Sequence, residues 1–221
     1  MKSQKRESRK YIKRLLLQAD IAGIEVTYKN DSIVFIQEEK DIGYIGTTFV
    51  SGKFSDFGSR LGLFVSCRFG EEMSGTCRIT EVVRQLELSY KSKSILPDSF
   101  FGFTSLSYLS CSFFNGTASF YEHEDILEKC KDISSRIQSL YLPKALNFIH
   151  HNDDLIEDII RAPENYAYPM AYILTTCYLN NKQEDIEAIL LRAKTKKMHD
   201  NKQSKIQEVR LKLDRHFGLS Y

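Results

Sequence analysis

Two imidazoles, an amide and two carboxylates stand in a row at His150-His151-Asn152-Asp153-Asp154, with Glu157 and Asp158 one helical turn further on. No other stretch of the 221 residues is so dense in possible ligands and proton carriers. On a continuous helix His150, Asp154 and Asp158 would share a face at four-residue spacing, which is how helical metal sites are built. The same run also reads as a junction. His150-His151 would close one helix at its negative pole, and Asp153-Asp154 would open the next at its positive pole. The junction accounts for every residue without ligands from elsewhere, so it is the preferred reading, and no metal and no cofactor are assigned.

A second constellation is Asp31, an apolar stretch, then Glu38-Glu39-Lys40. This has the acid, acid, lysine order of a restriction-type nuclease core, where two carboxylates hold a divalent metal and the lysine steadies the attacking water. Convergence is the difficulty. Asp31 falls in a hairpin turn a full strand away from Glu38, so a turn and a solvated strand end are expected instead. The chain has no G-x-x-x-x-G-K, G-x-G-x-x-G, G-x-S-x-G or H-E-x-x-H motif, which removes the common phosphate-binding, dinucleotide, serine-hydrolase and zinc-protease templates. Its five cysteines, Cys67, Cys77, Cys111, Cys130 and Cys177, include no C-x-x-C pair. They read as reduced, mostly buried thiols of a reducing compartment rather than a disulfide framework or a catalytic nucleophile. The chain is not expected to be an enzyme.

Charge is the more informative property. Of 31 basic and 29 acidic residues, seven and one lie in residues 1–19, and nine and three lie in residues 192–215. Two basic ends therefore bracket a body of net charge −10, and asymmetry of this kind steers association. The basic ends, including Arg192, Lys194, Lys196, Lys197, Lys202, Lys205, Arg210 and Lys212, raise a nucleic-acid reading. These residues alternate with apolar stripes, however, and no nucleic-acid-binding motif accompanies them. The acidic body carries Glu122, Glu124, Asp125, Asp153, Asp154, Glu157 and Asp158, with Tyr166 and Tyr168 close by in sequence. Acids beside aromatics suit a surface that docks a basic protein, because aromatics anchor and charge steers. The basic start is followed by a stretch interrupted by Lys13, Arg14, Gln18 and Asp20, unlike a signal-peptide core. No uncharged apolar run approaches the ~18 residues of a membrane helix. A cytoplasmic, soluble protein is expected.

The elements that must position these residues change character near Tyr121. A helix is expected over about 8–21, with Gly23 at its C′ position. Ile24, Val26 and Tyr28 then alternate before Asn30-Asp31, and Ile33–Ile36 return, as a hairpin would. Gly43–Val50, Leu61–Phe69 and the aromatic run Phe100–Phe114 are further strand candidates, the last turning at Asn115-Gly116 into Thr117–Tyr121. Cys77–Tyr90 fits helical spacing with Thr80 as a possible N-cap; its β-branched residues also suit a strand, and helix is favoured. From Glu124 the period becomes helical. Ile126, Cys130, Ile133, Ile137 and Leu140 form a stripe expected to end at Leu142, because Pro143 disfavours helix in the residue before it. Pro143 itself suits the first turn of another short helix, and four more are expected: one around Leu155–Ile160 with Asn152 as cap, one from Pro169 to Asn180-Asn181, one around Ile186–Ala193, and one from an Asp200/Gln203 capping box to Gly218. Strands first and helices second predict an α+β fold. The expectation is a single domain of residues 1–221, its mainly antiparallel sheet in 1–121 packed against the helical part 122–221.

This layout, with a basic N-terminal helix, Arg60-Leu61-Gly62-Leu63-Phe64-Val65-Ser66 in the strand-rich half, an aromatic hairpin, and Tyr141-Leu142-Pro143 and Tyr168-Pro169-Met170-Ala171 in the helical tail, resembles small bacterial families that include toxin-immunity proteins. The resemblance implies a non-enzymatic protein that binds one cognate toxin, and it carries no catalytic residues. The function expected is that of a cytoplasmic binding protein whose partner is a basic toxin domain. The alternatives are a nucleic-acid-binding protein and a metal-dependent hydrolase or nuclease.

Overall fold

The computed structural model describes Arg6, Lys10, residues 25–29, 32–54, 58–70, 74–88, 102–104, 117–120, 128, 131–132, 135–195 and 203–219. The fold is α+β, with an antiparallel sheet in the N-terminal half and helices mostly in the C-terminal half. The chain divides into two compact units. One comprises residues 1–68, 73–75 and 104–145; the other comprises 69–72, 76–103 and 146–221. The division does not fall at residue 121, because 76–103 group with the C-terminal helices and 122–145 with the strands.

The sheet is built from β1 (Glu25–Lys29), β2 (Ser32–Gln37), β3 (Lys40–Phe54), β4 (Gly58–Phe69), β5 (Gly102–Thr104) and β6 (Thr117–Phe120), in the order β1-β2-β3-β4-β5, with β6 also on β4. Lys29 pairs with Ser32, leaving the two residues Asn30-Asp31 between the strands, as the hairpin reading requires. Ile33, Val34 and Phe35 are all buried, so β2 is covered on both faces at its centre. Its register with β3 shifts between Phe35 and Ile36: Phe35 pairs with Gly43 and Ile36 with Asp41, so Ile42 is an extra residue. A bulge of this kind frees backbone groups from the ladder. Here Ser74 Oγ accepts from the Asp41 N–H at 2.9 Å, and the Gly75 N–H donates to the Asp41 carbonyl at 3.1 Å.

Arg6 and Lys10 are helical and exposed, while the remainder of the expected first helix lies outside the described residues. So do most of Phe100–Phe114 and the Asn115-Gly116 turn; β5 and β6 are the parts described. Within the ambiguous Cys77–Tyr90 segment Arg78–Gln85 form a helix, α1, with buried Ile79, Val82 and Val83, while residues 89–90 lie outside the described residues. Its N-cap is Cys77, not Thr80. Thr80 lies inside the first turn, where its hydroxyl donates back to the Cys77 carbonyl at 3.0 Å.

The helix expected to stop at Leu142 does not stop. Residues 137–141 form a π-helical turn that runs directly into α2 (Leu142–Ile149), with the Leu142 N–H donating to the Ile137 carbonyl five residues back. The wider turn gives the Pro143 ring room that an α-helical turn would deny it. The extra residue also rotates the buried face. Leu140, expected in the stripe, is exposed, whereas Ile137, Tyr141, Leu142, Ala145 and Phe148 are buried.

In the second unit α4 (Pro169–Leu179) is the central element, buried from Pro169 through Tyr178 on every side. It packs with α1, with α3 (Asp153–Arg161) and with α6 (Gln203–His216). Leu155, Ile156, Ile159 and Ile160 bury the inner side of α3, and Ile206, Val209 and Leu213 that of α6. Phe69 stacks on Phe148 at 4.7 Å, and Phe148 meets Tyr172 edge-on at 4.9 Å. The remaining helix, α5 (Ile186–Thr195), follows a 3-10 turn at Gln183–Asp185 and buries Ile186, Ile189 and Ala193. Asn181 and Gly218 take positive φ just beyond α4 and α6, where the helix-stop signals place them; Asp200 of the expected capping box lies outside the described residues.

Candidate functional site

The ligand-dense run is a helix junction. α2 ends at Ile149, His150 and His151 form a turn, Asn152 is the N-cap and α3 begins at Asp153. His151 takes φ 45°, a left-handed conformation that histidine tolerates better than most residues. His150 and Asp154 therefore do not share a helix face, and the metal arrangement that required a continuous helix is overturned. Among the described residues no group of three or more histidines, cysteines or acids is arranged to hold a metal ion.

The junction nevertheless forms one wall of an open polar hollow of about 540 Å³, lined by His150, His151, Asn152, Asp153, Asp154, Asn180 and Lys182. Asn180 Nδ2 donates to the His151 carbonyl at 2.8 Å and to Asp153 Oδ1 at 3.2 Å. Lys182 pairs with the other Asp153 oxygen. The hydrogen bond from Lys182 holds the Asp153 carboxyl below its ordinary range, with Asn180 adding to it, and the same bond raises the Lys182 ammonium. Asn180 is expected from sequence only as a helix end, and Lys182 is not singled out there. Their signal is tertiary, since they meet the junction from 27 to 29 residues away.

The nine residues proposed from sequence as a docking surface separate into three groups. Glu122, Glu124 and Asp125 lie outside the described residues. Asp153, Asp154 and Glu157 are exposed on α3, with Glu157 bound to Arg192 of α5 at 2.5 Å. Asp158 is half-buried and accepts a hydrogen bond from the Tyr166 hydroxyl. Tyr166 and Tyr168 are not surface anchors: they are 1% and 3% exposed. They are interior because the 3-10 turn Pro163–Asn165 folds the chain back under α3 before Pro169 starts the central helix.

Part of the described basic C-terminal segment is paired with acids. Arg192 pairs with Glu157, Arg210 with Glu187, and Lys205 and Lys212 with Glu208; Lys196, Lys197 and Lys202 lie outside the described residues. The nuclease-like constellation is a turn. Glu38 and Glu39 take φ 51° and 62° between paired Gln37 and Lys40, a two-residue type I′ connection. Asp31 lies outside the described residues; Ser32 and Gln37 mark the two ends of β2, roughly 17 Å apart at about 3.3 Å per residue. Cys77 and Cys177 are free, buried thiols. Burial raises both, and for Cys177 burial, then Asp185 and Asp153, push the thiol up to about 12, which disfavours its thiolate form.

No helix among the described residues is long and apolar enough to cross a membrane. No protein-family model matches the chain, and no curated protein or solved structure is significantly similar to it.

Proposed function

We propose that this chain is a cytoplasmic binding protein, an immunity protein that neutralises a cognate basic toxin by docking over its active or substrate-binding face. The supporting observation is the solvent face of α3. Asp153, Asp154 and Glu157 project from the first turns beside the polar hollow, and among the described residues Asp154 takes part in no ion pair. A toxin that attacks nucleic acid must present positive charge to phosphate, and carboxylates facing that charge speed encounter and exclude other partners. Asp154 is the primary contact in this reading, Asp153 and Glu157 flank it, and Asp158 with Tyr166 and Tyr168 supports the surface from within.

The experiment is affinity purification of the tagged chain from its native cell, followed by association kinetics with whatever protein co-purifies. The expected result is a stoichiometric basic partner whose association slows at least tenfold when Asp154 and Glu157 are both changed to Lys, with the salt dependence reduced. A partner bound equally fast by that variant would move the interface elsewhere. Recovery of nucleic acid instead of protein would replace this reading with the nucleic-acid alternative.

A further inference from the structure

The sheet of the first unit has β1 at its margin. Among the described strands β1 is bonded to β2 on one side and to no strand on the other, so half of its backbone donors and acceptors face outward. Which half follows from the hairpin. Only two residues connect Lys29 to Ser32, and a turn of that length closes with a hydrogen bond between its flanking residues. Bonded pairs alternate along an antiparallel ladder, so Lys29, Thr27 and Glu25 direct their amide and carbonyl groups to β2. Those of Val26 and Tyr28 are turned to the open edge.

The order of residues along this edge is self-complementary. Glu25, Thr27 and Lys29 occupy alternate positions and so share one face of the strand. Glu25 is exposed and Thr27 half-buried, and among the described residues Glu25 takes part in no ion pair. An antiparallel second copy centred on Thr27 would set Glu25 opposite Lys29 at both ends and Thr27 opposite Thr27 in the middle, and facing opposite charges and facing threonines both favour pairing. Val26 would then stand opposite Tyr28. These are the residues with outward backbone groups, so the same register completes four hydrogen bonds. Other registers are worse: a slip of two residues loses both charge pairs, and a slip of four, or in-register parallel pairing, brings like charges together.

We propose that β1 is a self-association edge: two copies of this chain join through antiparallel β1–β1 pairing about Thr27, which continues one sheet across the dimer axis. Charges on an edge strand usually discourage such pairing. Here their opposite signs, at equal distances from Thr27, select a register instead. A pair of five-residue strands offers less area than a standard-size interface, so the dimer is a transient one that forms at high protein concentration. It does not depend on docking at the α3 surface, which belongs to the other unit.

The test is sedimentation equilibrium of the whole chain at low salt, from about 10 μM to about 1 mM, where a transient dimer dissociates measurably. A monomer–dimer equilibrium is expected within that range. Glu25→Lys is expected to weaken it roughly tenfold, because two attractive pairs become two repulsive ones, and Lys29→Glu equally; the double variant carrying both changes is expected to restore it. Within one chain the two positions are about 13 Å apart at ~3.3 Å per residue, so restoration reads a contact between chains. Val26→Pro removes an outward N–H and leaves the β2 ladder intact; it is expected to abolish association with an unchanged circular dichroism spectrum, and the charge variants decide the matter if it fails to fold. In a mixture of isotope-labelled and unlabelled chains, NMR is expected to show a contact between the two Thr27 α-protons, since residues facing each other in a non-hydrogen-bonded pair approach most closely. A chain that stays monomeric to about 1 mM, single variants that leave the dimer unchanged, or a double variant that fails to restore it would overturn the proposal. So would a different protein's strand pairing with β1 in a chain that does not self-associate.

Discussion

Replacing Tyr166 with Phe tests whether Asp158 and Tyr166 are parts of the fold or of a docking surface. The substitution keeps the buried ring and deletes only the hydroxyl that donates to Asp158. A hydrogen bond to a charged acceptor contributes ~1.5–3 kcal/mol, and the lower part of that range applies because Asp158 is half-exposed and screened. The expected loss is therefore about 1.5 kcal/mol, or roughly 3–6 °C in midpoint for a chain of this size. Urea denaturation of wild type, Tyr166→Phe, Asp158→Asn and the double variant would measure it. The two single losses should not add, and the cycle should return a coupling of about 1 kcal/mol. A loss under about 0.5 kcal/mol with additive singles would refute the reasoning, since surface changes away from such features fall in that range. Impaired partner binding at unchanged stability would return both residues to the interface.

Three further outcomes are expected. Glu38-Glu39→Asn-Gly should stabilise the strand unit by about 1 kcal/mol, because both positions hold left-handed backbone that Asn and Gly adopt at less cost; an unchanged or lower urea midpoint would contradict the turn assignment. Gly70→Ala should destabilise by about 2 kcal/mol or more, since Gly70 has φ 75° and an added Cβ would lie 2.9 Å from Thr76 Cγ2; full stability in thermal unfolding would show that the backbone relaxes freely there. Asp153 contributes stability above pH 3.8 that is lost as pH falls through its lowered folded value, so Asp153→Asn should reduce stability at pH 7 and flatten the acid limb of a stability-versus-pH profile. An identical acid limb in that variant would show that the Lys182 pair is not formed in solution.

Local rules were enough for much of the architecture. The Asn30-Asp31 hairpin, the helical spacing of α1 and of α3 to α6, and the Asn180-Asn181 stop all depend on periodicity or on backbone preferences of single residues, and the described structure contains each of them. The polarity of the junction, histidines before Asn152 and acids after it, was legible for the same reason. Expectations failed where an alternative local geometry was available or where a distant part of the chain decided burial. Pro143 predicts a stop from its own sterics, but a π-turn absorbs the ring, and Leu140 leaves the buried face. Tyr166 and Tyr168 look like surface aromatics beside acids. Only the return of the chain under α3 makes them interior, because burial is a property of what packs on a residue and not of its neighbours in sequence. The hollow has the same origin: His150–Asp154 are contiguous, but the groups that fix Asp153 and the His151 carbonyl arrive from the far end of α4. Sequence determined the type and approximate position of most described elements, since those depend on interactions within a few residues; tertiary structure decided which polar groups are enclosed, paired or left facing solvent, since those depend on contacts between residues distant in the chain.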